Sequence, residues 1–180
     1  MTKPTLNLFI SYSSDNSIQV DKIASDIRRL RHTDGTPRYT TWQDKHNLVP
    51  GSPHWWDSIV DAIEKCDVFV FHISQASLQS YVCLAELDYA HKLNLPIIPV
   101  VLDGEFFLNP TKGKYDITYW NLLPKWLMTT QFLFYTGTEF FDLFQHAING
   151  FEKNWPRRLK PKRPNDPGEE GNNHKRYVTA

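Results

Sequence analysis

The sequence predicts a doubly wound α/β fold, and three observations carry that prediction. Four short apolar runs, residues 6–10, 68–73, 97–102 and 132–135, have the near-continuous β-branched and aromatic content of strands covered on both faces. Between them, apolar residues recur at helical spacing. The two kinds of segment alternate along the chain, as they must where parallel strands are joined by crossover helices.

The elements follow in order. Leu6-Asn7-Leu8-Phe9-Ile10 reads as the first strand. Val20, Ile23, Ala24, Ile27 and Leu30 then form one helical stripe, with Asp15 or Ser17 available to cap its start. A more polar run, Arg38-Tyr39-Thr40-Thr41-Trp42, suits an edge strand. Trp56, Ile59, Val60 and Ile63 mark a second helix after Pro53, a residue suited to a first turn. Beyond the strand at 68–73, a third helix is expected over 77–95, stopping before Pro96. Residues 103–130 hold Phe106, Phe107, Tyr119, Trp120, Trp126 and Met128 without a clean period, so a packed irregular segment with one short helix is expected. A last helix is expected over 139–155, with Phe140, Phe141, Phe144, Ala147, Ile148 and Phe151 inward and Pro156 closing it.

Length and charge narrow the functional classes. With 180 residues, 41% of them hydrophobic, the chain can bury a core without staples. Its 20 Lys+Arg balance 20 Asp+Glu, but from Pro156 onward there are seven basic residues and three acidic ones, so the body is net negative. An acidic body argues against nucleic acid as the ligand of the folded part. Residues 1–155 are expected to form one domain. Residues 156–180, rich in Pro, Gly, Asn and charge, are expected to be a disordered basic tail or linker. Two cysteines, Cys66 and Cys83, supply neither a disulfide framework nor a cysteine-based zinc site. No apolar run reaches the ~20 residues that span a bilayer, and the N-terminal stretch lacks a signal-peptide pattern. A cytoplasmic setting with no membrane partner is the expectation.

Absent motifs exclude several chemistries. Ile10-Ser11-Tyr12-Ser13-Ser14 replaces any glycine-rich phosphate turn after the first strand. There is no Gly-x-Ser-x-Gly elbow, and the seven histidines lack metal-ligand spacing. In a doubly wound sheet, ligands bind beyond the carboxyl ends of the strands, where strand order reverses. That rule selects Ser11, Tyr12 and Ser13, then Trp42, Gln43 and Asp44, then Ser74. On the third helix, Cys83, Glu86, Ala90 and Leu93 fall on one stripe, which sets a carboxylate among small and apolar neighbours. Burying that charge is costly unless something uses it. Either it pairs with a nearby Arg or Lys, or it serves a site.

Three of these segments together resemble the Toll/interleukin-1 receptor (TIR) domain family. Phe9-Ile10-Ser11-Tyr12-Ser13 is similar to its first box. Trp42-Gln43-Asp44 followed by Leu48-Val49-Pro50-Gly51 is similar to its second, a mobile loop. Ser74, Ser77, Ser80, Cys83 and Glu86, each three apart, resemble the serine-rich turn and Cys-x-x-Glu helix of the members that cleave NAD+. The resemblance implies a flavodoxin-like three-layer sandwich whose five-stranded parallel sheet has order 2-1-3-4-5, with helices on both faces.

The resemblance also implies an activity: cleavage of the nicotinamide–ribose bond of NAD+, giving nicotinamide and ADP-ribose or a cyclic isomer, in bacterial defence signalling. Glu86 would be the catalytic carboxylate. Ser11, Tyr12, Trp42, Asp44, Lys45, Ser80 and Cys83 would contact NAD+, which is substrate rather than cofactor, and no metal is implied. Leu48, Pro50 and Gly51 would belong to an assembly loop through which the domain self-associates or meets other TIR domains. Each serine has a plainer reading as a helix cap, Trp42 as an edge-strand aromatic and Cys83 as a packing residue. Where the family often has tryptophan before the cysteine, this chain has Val82, which leaves the identity of the product open. The alternatives are a non-catalytic TIR interaction module and, more remotely, a nucleoside deoxyribosyltransferase.

Overall fold

A computed structural model describes residues 3–43, 52–102, 108–109, 114–115, 121–135 and 139–167. Five parallel strands form its sheet: β1 (Leu6–Ser11), β2 (Tyr39–Trp42), β3 (Val68–Ile73), β4 (Ile97–Val101) and β5 (Leu133–Phe134), in the order β2-β1-β3-β4-β5. The expected order 2-1-3-4-5 is the order found.

Alternation along the strands builds two cores. Leu8, Ile10, Val68, Val70, Ile98 and Val100 face the layer of α1 (Ser17–Arg29) and α4 (Glu139–Lys153), where they meet Val20, Ile23, Ile27, Phe140, Phe144 and Ile148. Phe9, Phe69, Phe71 and Ile73 face the opposite layer of α2 (Trp55–Lys65) and α3 (Tyr81–Lys92). Each fully buried side chain of this kind contributes about 1.5–3 kcal/mol.

Pro99 lies inside β4 without breaking the ladder. The Leu102 amide donates to Ile73 of β3, so the alternate position, 99, turns its nitrogen toward β5. There β5 begins pairing only at Val100, so Pro99 lies just before the paired stretch.

Three expectations change. The third helix is two pieces, a single turn Gln75–Leu78 and then α3. Ser74 and Ser77 close a reciprocal capping box around the first piece, and Ser80 caps the second, so serine side chains interrupt what periodicity runs together. Asn94, at φ 58°, ends α3 before Pro96 is reached. Within 103–130, the described residues give a two-residue antiparallel pairing of Leu108–Asn109 with Lys114–Tyr115 and a short 3₁₀ turn, Leu127–Thr129.

The third change concerns the expected disordered tail. Residues 156–167 lie across α2 and α3, held by hydrogen bonds and ion pairs rather than by apolar burial. Composition signals only the second kind of anchorage. No helix among the described residues is long and apolar enough to cross a membrane.

Candidate functional site

The reversal of strand order falls between β1 and β3, and Ser11 and Ser74 stand at the carboxyl ends of those strands. Ser11 points into the α2–α3 layer. Its hydroxyl donates to Glu86 Oε2 at 2.6 Å. Glu86 is only 2% exposed and lies midway along α3, on the buried stripe with Cys83, Ala90 and Leu93 that the periodicity predicts. A carboxyl group is thereby held at the switch point of the sheet, hydrogen-bonded to a residue 75 positions earlier.

Opposite Glu86, the backbone of Ser11 is fixed from the other face of the sheet. His72 Nδ1 lies 3.1 Å from the Ser11 carbonyl oxygen and donates to it, which fixes a proton on Nδ1. Burial pushes the His72 pKa down to about 4. Its Nε2 has no hydrogen-bond partner among the described residues. In the sequence His72 was one of seven scattered histidines; only its even position within the run 68–73, which turns it toward the α1–α4 layer, distinguishes it.

The other expected site residues divide. Ser80 lies at the start of α3, where its hydroxyl accepts from the Cys83 amide at 3.2 Å, so it is a helix cap. Cys83 is fully buried in the α2–α3 core beside Val82. Trp42 stacks on Phe9, with ring centroids 4.9 Å apart, and so has one face occupied by the core. Tyr12 is a correction: strand alternation carries it into the α1–α4 core, the face opposite Glu86. Asp44, Lys45, Leu48, Pro50 and Gly51 lie outside the described residues.

Two nearby polar networks steady this end of the sheet. Ser74 Oγ donates to Asn16 Oδ1 at 2.6 Å, tying the turn after β3 to the turn after β1. Gln43, 3% exposed, donates to Asp21 at 2.9 Å and ties the end of β2 to α1. A groove of about 470 Å³ runs between β2 and α2, lined by Thr40, Trp42, Ser58, Asp61 and Lys65 among others. A smaller one of about 250 Å³ lies where residues 162–165 meet Asp88, Tyr89 and Lys92. Glu86 lines neither.

The TIR domain family model matches residues 8–130. Toll-like receptor 2 of Mus musculus is 34% identical over 85 residues, which cover 46% of this chain and 10% of the receptor. Toll-like receptor 2 of Ovis aries is 33% identical over the same shares. The chain thus spans about a tenth of the length of these curated relatives. Among solved structures, the TIR domain of the Toll-related receptor TRR-2 from Hydra magnipapillata is similar, with a TM-score of 0.55 at 18% identity over 81% of this chain and 100% of that one. That likeness shows the fold. The family match takes in β1 to β4 and α1 to α3, the elements that join Ser11 to Glu86, and the chain belongs to the TIR domain family.

Proposed function

We propose that this TIR domain cleaves NAD+ between nicotinamide and ribose, with Glu86 as the catalytic carboxylate, and that it acts when assembled with further TIR domains. The observation that carries the reading is the buried Glu86 carboxylate bonded to Ser11 at the switch point of the sheet. Burying a carboxyl group in that place is costly in desolvation, a cost that a role in chemistry accounts for.

One carboxylate suffices for the chemistry. Nicotinamide departs as a neutral molecule, taking both electrons of the C–N bond, so no general acid is required at the leaving group. This differs from an ordinary glycoside, whose departing oxygen needs a proton. Positive charge develops on the ribose, and a fixed carboxylate close to it stabilises the transition state more than the ground state. Water then adds to the sugar carbon and releases a proton, giving ADP-ribose; attack by an atom of the same molecule gives a cyclic isomer instead. In this reading the Ser11 hydroxyl keeps the place of a ribose hydroxyl, which exchanges for it on Glu86 when NAD+ binds. Ser80 and Cys83 then act through the backbone, by setting the start of α3.

The test is nicotinamide release by concentrated protein. The expected result is release by the wild type and none by Glu86→Ala, with both folded. Equal rates would defeat the proposal.

A second reading, an interaction module without chemistry, is favoured by the 2% exposure of Glu86. Under it the Ser11–Glu86 bond is a tie between β1 and α3, and Glu86→Gln lowers the melting temperature. Under the catalytic reading that substitution leaves stability unchanged or raises it.

A further inference from the structure

We infer that residues 156–167 are an exchangeable strap: the segment that lies on the α2–α3 face of its own chain also docks on that face of a second copy. The inference does not rest on the NAD+ reading.

The first support is how the strap is held. Arg158 donates from Nη1 to the Glu64 carbonyl at 2.6 Å and from Nη2 to the Cys66 carbonyl at 2.8 Å, capping the end of α2. Arg163 reaches Glu64 through Nε at 2.9 Å and through Nη2 at 2.5 Å, and Nη2 also lies 2.6 Å from Asp61. Tyr89 donates to the same Glu64 at 2.6 Å, so one carboxylate joins α2, α3 and the strap. The Trp56 indole donates to the Pro164 carbonyl at 3.1 Å. Main-chain contacts complete the seat, with the Leu159 amide on the Leu93 carbonyl and Asn94 on the Arg157 carbonyl. Leu159 remains 52% exposed. This attachment is made of polar and ionic bonds, which any copy presenting the same face can remake.

Charge complementarity identifies the occupant. Arg163 pairs with Asp61 and Glu64, and Lys162 lines one groove with Asp88, in a strap that carries five basic residues against a body that is net negative. Lys92 is paired with Asp88 at 2.7 Å, so these two charges offset each other and the attraction rests on Asp61 and Glu64. A second acidic body would be repelled from such a face, whereas a second strap is attracted to it. Pro156, Pro161 and Pro164 keep the strap out of helix and sheet and reduce the entropy lost when it docks.

Lys153, Asn154 and Trp155, all exposed, connect the strap to α4. Contacts within a chain and between chains are the same, so their balance follows the effective concentration of the tethered strap, on the order of millimolar for a short linker. Exchange between copies therefore needs a high local concentration, such as TIR assembly provides.

The experiment mixes full-length protein of natural isotopic composition with uniformly ¹⁵N-labelled protein, then applies a zero-length carbodiimide crosslinker. Links from Lys162 to Asp88 or Glu64 are read by mass spectrometry. Exchange predicts mixed-isotope links near millimolar protein, falling at least tenfold at tens of micromolar, and their loss in Arg158→Glu/Arg163→Glu. Links confined to a single isotope at every concentration overturn the inference. A charge-reversed pair gives a second readout. Arg158→Glu/Arg163→Glu mixed with Asp61→Arg/Glu64→Arg should sediment as a complex that neither forms alone. Two folded variants that stay monomeric when mixed would also overturn it.

Discussion

Acidification should destabilise this domain through a single buried imidazole. His72 takes up its proton near the ordinary value of 6.5 in the unfolded chain but only near about 4 in the fold, because burial of its ring disfavours the charged form by more than the hydrogen bond to the Ser11 carbonyl favours it. The folded pKa is lowered, so between these values the unfolded state binds more protons and stability falls as pH falls. At pH 5, 1.5 units below 6.5, the loss at 1.36 kcal/mol per unit amounts to about 2 kcal/mol relative to pH 8. The carboxyl of Glu64, held low by Arg163 and Tyr89, also loses stabilisation as pH falls, but that loss is common to the wild type and the His72 control below. Urea unfolding at pH 8 and pH 5 measures the difference. His72→Asn is the control, since its amide can donate to Ser11 without titrating. The wild type should lose about 2 kcal/mol more than His72→Asn between the two pH values. Equal losses would show that His72 does not couple protons to folding, and the argument from its burial would be wrong.

Other substitutions test the roles assigned above. Ser80→Ala removes the cap of α3 and should cost about 1 kcal/mol in denaturant unfolding; a large rise in KM for NAD+ without that loss would return Ser80 to the substrate. Ile59, fully buried between α2 and the sheet, should cost about 2–5 kcal/mol on truncation to Ala, and a smaller loss would mean that the α2–α3 layer packs loosely. Ser11→Ala leaves Glu86 without its serine hydroxyl. It should destabilise the fold by about 1–3 kcal/mol in urea unfolding, and no change would mean that the bond does not hold the carboxylate.

The fold was legible because its signals are periodic. Four of the five strands are dense apolar runs, the helices between them carry single stripes, and alternation alone assigns Phe9 to one layer and Leu8 to the other. The stripe of Cys83, Glu86, Ala90 and Leu93 likewise stands in the structure as the sequence predicts. Partners joined across long separations were not legible. Nothing local to Ser11 marks its bond to Glu86, and nothing near His72 marks its contact with the Ser11 carbonyl. The packing of residues 156–167 was missed because its anchors are two arginines, which composition scores as solvated. The broken third helix was missed because a serine at every third position suits either a helix face or a series of caps. Tyr12 was misassigned for a simpler reason: proximity to Ser11 in sequence places it on the opposite face of a strand.

The central claim is that the Glu86 carboxylate acts on the ribose of NAD+. Turnover of NAD+ across a range of protein concentrations, for the wild type and Glu86→Gln in parallel with their melting curves, tests it most directly. The account predicts activity rising steeply with concentration in the wild type. It predicts a loss of roughly a hundred- to thousandfold in Glu86→Gln, at an equal or higher melting temperature. Matching turnover in the two proteins, or a wild type that leaves NAD+ intact at every concentration, would contradict it.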